Sequence, residues 1–125
     1  MKNQDQLNRK YFTMSNGITV IERDYSCADF KYEVLKDEIE KFQKELSEEY
    51  DVMVELASFG SQIIMKVTDV GYQNPDILIF YGFYNDQKAQ LIQHVSQLNF
   101  MLLATKKEEP NREPNRIGFI AQKNV

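Results

Sequence analysis

A chain of 125 residues, 42% of them hydrophobic and 27% charged, has the size and make-up of one folded domain and excludes a disordered polymer. Its net charge of −4, from 19 acids against 15 bases, excludes steering of the whole protein toward nucleic-acid phosphates. A single cysteine, Cys27, excludes an internal disulfide framework and predicts a reducing compartment, the cytoplasm; no apolar run has the length or position of a signal peptide or membrane span, so neither secretion nor membrane insertion is expected.

Residues 1–9 are polar and aperiodic and predict a flexible N-terminus. Apolar runs at residues 11–14 and 18–21 flank Ser15-Asn16-Gly17, and an Asn-Gly pair between such runs predicts a hairpin. Over residues 29–50, Phe30, Val34, Leu35, Ile39, Phe42, Leu46 and Tyr50 recur at helical spacing, which predicts an amphipathic helix capped by Ser26 or Asp29. Its outer face carries Asp37→Lys41 and Glu40→Lys44 pairs in the stabilising order.

The period then changes to two. Val52, Val54 and Leu56, then Ile63, Met65 and Val67, predict two strands joined by a hairpin at Gly60-Ser61. Residues 69–75 read as a longer turn before a third strand, residues 77–83, which is apolar on both faces. Such a strand is covered on both sides, or on one side by the chain and on the other by a partner.

Asn85 or Asp86 is expected to cap a second helix with the stripe Ala89, Leu91, Ile92, Val95, Leu98 and Leu102, whose end is apolar nearly all round. Glu109-Pro110-Asn111-Arg112 is repeated at once as Glu113-Pro114-Asn115-Arg116, and its prolines forbid a continuing helix. A strand at residues 117–121 closes the fold. The predicted class is α+β: one domain over residues 10–121 in the order ββ-α-βββ-α-β, a mainly antiparallel sheet against two helices, with a tail at residues 122–125.

Leu56-Ala57-Ser58-Phe59-Gly60-Ser61, Asn74-Pro75, Ile79-Phe80-Tyr81-Gly82, the stretch from Leu91 to Leu98, and Arg116-Ile117-Gly118-Phe119 resemble a small bacterial and phage family known only as a domain of unknown function. The resemblance spans about residues 30–120. It implies a compact single domain and a phage or mobile-element setting, and brings no activity, cofactor or catalytic residue.

One enzyme pattern is present. Pro75-Asp76, followed by Asp86-Gln87-Lys88, resembles the proline-aspartate and acid-x-lysine signature of restriction-endonuclease-like nucleases, where carboxylates hold a divalent metal at the phosphate and lysine helps activate water. Asp76, Asp86 and Lys88 would be that site. The same residues read as an Asn-Pro-Asp turn and a helix cap. His94 is the only histidine; it excludes a two-histidine zinc site within one chain and reads as a hydrogen-bonded structural residue. Ser26-Cys27-Ala28 matches no catalytic cysteine signature, and no glycine-rich phosphate loop occurs. The helix, three strands, helix order is similar to double-stranded RNA-binding domains, yet Asn85-Asp86-Gln87-Lys88 lacks their lysine cluster. Neither a cofactor nor a metal is expected.

Charge supplies the remaining signal. Residues 29–51 hold nine acids against four lysines, a local balance of −5, whereas residues 104–125 hold five bases and three acids. Acids on a helix face ordinarily keep a protein soluble; they also steer a basic partner. The expected function is a non-enzymatic interaction module, phage-associated, inhibiting a larger basic protein that handles nucleic acid, with Asp37, Glu38, Glu45, Glu48 and Glu49 as the contact. The alternatives are the metal-dependent nuclease and a housekeeping domain. No direct nucleic-acid or membrane contact is expected, and the excess apolar surface predicts self-association.

Overall fold

The structure, a computed structural model, describes residues 9–23, 25–56 and 62–120. Of the terminus expected to be flexible at residues 1–9, Arg9 instead opens a strand; residues 1–8, the Gly60-Ser61 hairpin, and the chain from residue 121 onward lie outside the described residues. Strands β1 (Arg9–Thr13) and β2 (Thr19–Arg23) form an antiparallel ladder of their own. Gly17 supplies the left-handed turn residue at φ +86°, and the Asn16 Oδ1 accepts the Ile18 N–H at 3.1 Å. Both members of the Asn-Gly pair therefore act in the turn.

Helix α1 (Ala28–Lys44) is shorter than its apolar spacing predicts, because Tyr50 opens a strand rather than continuing the helix. Its N-cap position is Cys27, which makes no side-chain capping bond, not Ser26 or Asp29. The cap is supplied from a distance: Ala28 N–H donates to Pro75 O at 2.7 Å and Asp29 N–H to Asn74 Oδ1 at 2.9 Å, satisfying first-turn donors that no helical carbonyl reaches. Outside, Lys41 pairs with Glu38 at 3.6 Å.

The main sheet contains β3 (Tyr50–Leu56), β4 (Ile63–Gln73), β5 (Ile77–Tyr84), β6 (Gln87–His94), β7 (Phe100–Lys106) and β8 (Gly118–Phe119). Its order is β6-β5-β4-β3-β7, antiparallel throughout, with β8 parallel to β4. β4 runs on through Gln73, so most of the turn expected at residues 69–75 is strand. The α+β class holds, with one helix instead of two.

The second helix is replaced by β6, a short 3₁₀ turn at Val95–Gln97, and β7. Asn85 and Asp86 both take positive φ, 49° and 63°, the backbone of a two-residue type I′ hairpin loop. They reverse the chain where a cap would have launched a helix. Residues 87–94 then pair with all of β5, from Tyr84 opposite Gln87 to Ile77 opposite His94, satisfying the edge donors and acceptors of that strand. The helical stripe mixed residues from both faces of a strand. With it go the second helix of the nuclease-like order and that of the RNA-binding order.

One face of the sheet meets α1. Val52, Val54, Leu56, Met65, Val67, Val70, Leu78 and Phe80 are buried there with Tyr32, Ile39 and Ile117, following the period-two alternation of the strands. At Thr68 the β4–β5 register shifts, and Thr68 Oγ1 donates to Tyr81 O at 3.2 Å. The backbones come so close at this bulge that a Cβ on Gly82 would fall 1.9 Å from Lys66 O; only glycine fits.

The second Glu-Pro-Asn-Arg copy, which in sequence only stops a helix, fastens the sheet. Asn115 lies where β3 and β4 separate, and its Nδ2 donates to Val52 O at 2.8 Å and Val67 O at 2.9 Å. Its backbone N–H donates to Asp51 Oδ1 at 2.7 Å, while Val52 N–H donates to its carbonyl at 3.1 Å. Arg112 forks onto both oxygens of Asp51, at 2.7 and 3.3 Å, a paired geometry stronger than a single contact. Burial draws the Asp51 carboxyl upward, but the bonds from Arg112 and from the Asn115 backbone outweigh it and hold the group below the ordinary carboxylate range. Arg116 reaches Tyr50 O at 2.7 Å and, in the turn between α1 and β3, the carbonyls of Leu46 and Ser47 at 3.4 and 3.1 Å.

Candidate functional site

Asp76, Asp86 and Lys88 do not form a site. Asp76 immediately precedes β5, and Asp86 sits in the loop beyond its far end, so a strand of eight residues, about 26 Å long at ~3.3 Å per residue, separates the two carboxylates. Ligands of one ion must approach within ~2.6 Å of it. Lys88 lies beside Phe83 at the Asp86 end, away from Asp76. The described residues contain no cluster of three or more acidic, histidine or cysteine side chains placed to share a metal.

Asp76 instead meets a residue far from it in sequence. His94 Nε2 faces Asp76 Oδ2 at 3.1 Å, and Nδ1 faces Ser96 Oγ at 2.8 Å while accepting the Ser96 backbone N–H at 3.1 Å. Because that N–H donates to Nδ1, the ring proton belongs on Nε2, directed at the carboxylate. The order carboxylate, imidazole, hydroxyl is that of a serine-protease relay, but the base nitrogen here is already bonded to backbone and the group is half exposed. It ties the start of β5 to the turn after β6, helped by Val95 N–H donating to Asp76 O at 2.8 Å. His94 thus has the hydrogen-bonded structural position expected of it. Cys27 is buried at the helix start.

The acidic residues occupy the outer side of the molecule. Asp37 and Glu38 are exposed on α1, and Glu45, Glu48 and Glu49 are exposed at its C-terminal end and in the turn to β3. Glu45, Glu48 and Glu49 lie beyond the negative end of the helix dipole, where Lys41 and Lys44 of the last turn offset part of their charge. Lys41 bonds Glu38 from within the patch, and Arg116 bonds the carbonyls of Leu46 and Ser47 in the turn after the helix. Asp51 belongs to the Asn115 clasp, so it adds nothing to this surface.

The sheet face opposite α1 is a second unusual surface. Ile92 (61% exposed), Met101 (58%), Ile64 (50%) and Phe83 (42%) all stand on it. The registers place Ile79 beside Ile92, Phe83 between Lys66 and Lys88, and Glu55 between Ile64 and Met101. The strand expected to be apolar on both sides, β5, has its inner side in the core and its outer side here.

A family model described as "Family of unknown function (DUF6173)" matches residues 25–120, well over half of the chain, and the chain belongs to that family. No curated protein and no solved structure matches it. Among the described residues, no helix is long and apolar enough to cross a membrane.

Proposed function

We propose that this member of a family of unknown function is a non-enzymatic interaction module that docks its acidic α1 surface on a larger, basic, nucleic-acid-handling protein. The observation that carries this reading is the exposure of all five acids, Asp37 and Glu38 midway along α1 and Glu45, Glu48 and Glu49 in the turn after it. A predominantly acidic surface accelerates encounter with the opposite sign and fixes orientation, even with Lys41 and Lys44 within it. Held on a helix whose first turn is capped from the Asn74-Pro75 segment and whose following turn is bonded by Arg116, it competes well for a groove built to take phosphates. Inhibition of a nucleic-acid-processing enzyme, as by a phage anti-defence factor, is the biological role that such competition serves.

The experiment is affinity capture from a bacterial extract with the chain as bait, washed at about 0.1 M and at about 1 M salt, where the screening length falls from ~10 to ~3 Å. The reading expects a basic protein retained at low salt and released at high salt. Retention indifferent to salt, or no basic protein retained, overturns it.

A further inference from the structure

We propose that Asn16, in the turn of the β1–β2 hairpin, is a modification site at which the folded chain deamidates itself: the neighbouring backbone nitrogen and water convert its side-chain amide to aspartate and isoaspartate. This inference is independent of the function assigned to the acidic surface.

Such a site needs an amide open to water, a following backbone nitrogen that can reach it, and a chain free to bend. The following residue decides the second requirement, because its side chain crowds the attacking nitrogen and glycine has none. Asn16 is the one asparagine followed by glycine. Both residues are exposed, and a Cβ built on Gly17 would meet no described atom within 4 Å. The other described asparagines each lack something. Pro75 gives Asn74 no N–H to attack with. Asn115 is buried, its Nδ2 held by Val52 O and Val67 O at 2.8 and 2.9 Å. Asn85, Asn99 and Asn111 are exposed, but Asp86, Phe100 and Arg112 follow them.

In the reaction the Gly17 nitrogen loses its proton to solvent base and bonds to Asn16 Cγ. The Cγ–Nδ2 bond breaks, ammonia leaves, and a succinimide ring closes. Water then adds to either ring carbonyl. One opening restores the chain with an aspartate; the other routes the chain through the former side chain as isoaspartate. One water is consumed, one ammonia is released, nothing is oxidised or reduced, and the product carries one more negative charge.

The closed turn holds this chemistry back. Gly17 N–H donates to Met14 O at 2.9 Å, which occupies the nucleophile, and Asn16 Oδ1 accepts the Ile18 N–H at 3.1 Å. Both bonds must open before attack. The hairpin allows it: β1 and β2 form a sheet of their own, and a two-stranded ladder by itself is only marginally stable in water, so the turn opens while the main sheet stays closed. Isoaspartate lengthens the main chain by one methylene and misaligns the Thr13–Thr19 pair next to the turn. The change stays within a hairpin that precedes the family-matched residues 25–120.

Peptide mass spectrometry of the full chain, incubated folded at mildly alkaline pH and compared with an unincubated sample, tests this. Trypsin cleavage after Lys10 and Arg23 releases residues 11–23, in which Asn16 is the only asparagine. The expected result is a gain of one mass unit in that peptide, NH₂ replaced by OH, growing with time. It appears as two chromatographic forms of equal mass, one of them a substrate for isoaspartate methyltransferase. The peptides carrying Asn99 and Asn111 gain it several-fold more slowly. Gly17→Ala slows the gain several-fold, although alanine strains a turn residue at φ +86° and so opens the hairpin; slowing there reports a crowded nitrogen, not a tighter turn. A peptide 11–23 that stays unmodified in the folded chain overturns the proposal. So does a gain no faster than that of the Asn99 peptide, or a rate unchanged by Gly17→Ala.

Discussion

Replacing Asn115 by alanine tests the clasp that holds β3, β4 and the C-terminal segment together. The side chain is buried and its Nδ2 donates to two backbone carbonyls, Val52 O and Val67 O, which lie where the strands have parted and cannot bond each other. Alanine leaves both acceptors buried without a donor, at about 1–3 kcal/mol each, so the expected loss is about 2–5 kcal/mol. The bonds of the residue 115 backbone to Asp51 and Val52 remain, which keeps the figure from rising further. With a urea slope of about 2 kcal/mol per molar, the middle of the usual range, the unfolding midpoint falls by roughly 1–3 M. Asn115→Asp has nearly the same volume but turns a donor into an acceptor facing two carbonyls, so it destabilises more than alanine. Urea unfolding followed by circular dichroism measures all three proteins. A loss under about 1 kcal/mol for alanine, or an aspartate variant as stable as the alanine one, refutes the reasoning.

Asp51 is held below the ordinary carboxylate range, so its contribution is fully present above the unfolded value of ~3.9 and disappears as pH falls through the folded value. Stability measured from pH 7 down to pH 2 should therefore decline less steeply below about pH 4 in Asp51→Asn than in the parent; equal slopes contradict the assignment. Gly82→Ala drives a Cβ into Lys66 O and belongs to the exceptional class of losses, ~4 kcal/mol or more; thermal unfolding reads it, and a variant of parental stability would mean that the strands do not approach at this bulge. Asp86→Gly relieves a left-handed non-glycine residue in the β5–β6 loop and should leave stability unchanged or raised by up to ~1 kcal/mol. A marked loss in the same unfolding assay would give the Asp86 side chain a role that the loop does not.

The first helix and β3 to β5 were legible because burial is one-sided there and the residues repeat with the period of their element. Val52, Val54 and Leu56 could hardly be anything but a half-buried strand. Residues 87–106 mislead for a physical reason: Leu91, Val95, Leu98 and Leu102 fall at helical spacing across a strand, a turn and a second strand, while the exposed apolar Ile92 and the buried polar Gln93 invert the period-two signal of β6. The Asn85-Asp86 pair was the available correction, since both residues tolerate positive φ, but the pair serves equally well as a cap in sequence. The helix cap from Asn74 and Pro75 and the Asn115 clasp span 45 to 64 residues of chain and leave no local trace. The repeated Glu-Pro-Asn-Arg was visible, though only as a helix stop. Of the site residues, the acids were legible as an excess of charge, while the separation of Asp76 from Asp86 depended on strand geometry. The doubly apolar run at residues 77–81 has Leu78 and Phe80 buried on the α1 side and Ile77, Ile79 and Tyr81 half-buried on the other.

The central claim is that α1 and its C-terminal turn contact a basic protein. The most direct test is capture from one extract with three baits: the parent chain, a variant carrying Asp37→Asn, Glu38→Gln, Glu45→Gln, Glu48→Gln and Glu49→Gln, and Ile92→Glu. The parent and Ile92→Glu are expected to retain the same basic protein, and the neutralised variant to lose it at low salt. Retention by the neutralised variant equal to that of the parent would contradict the account.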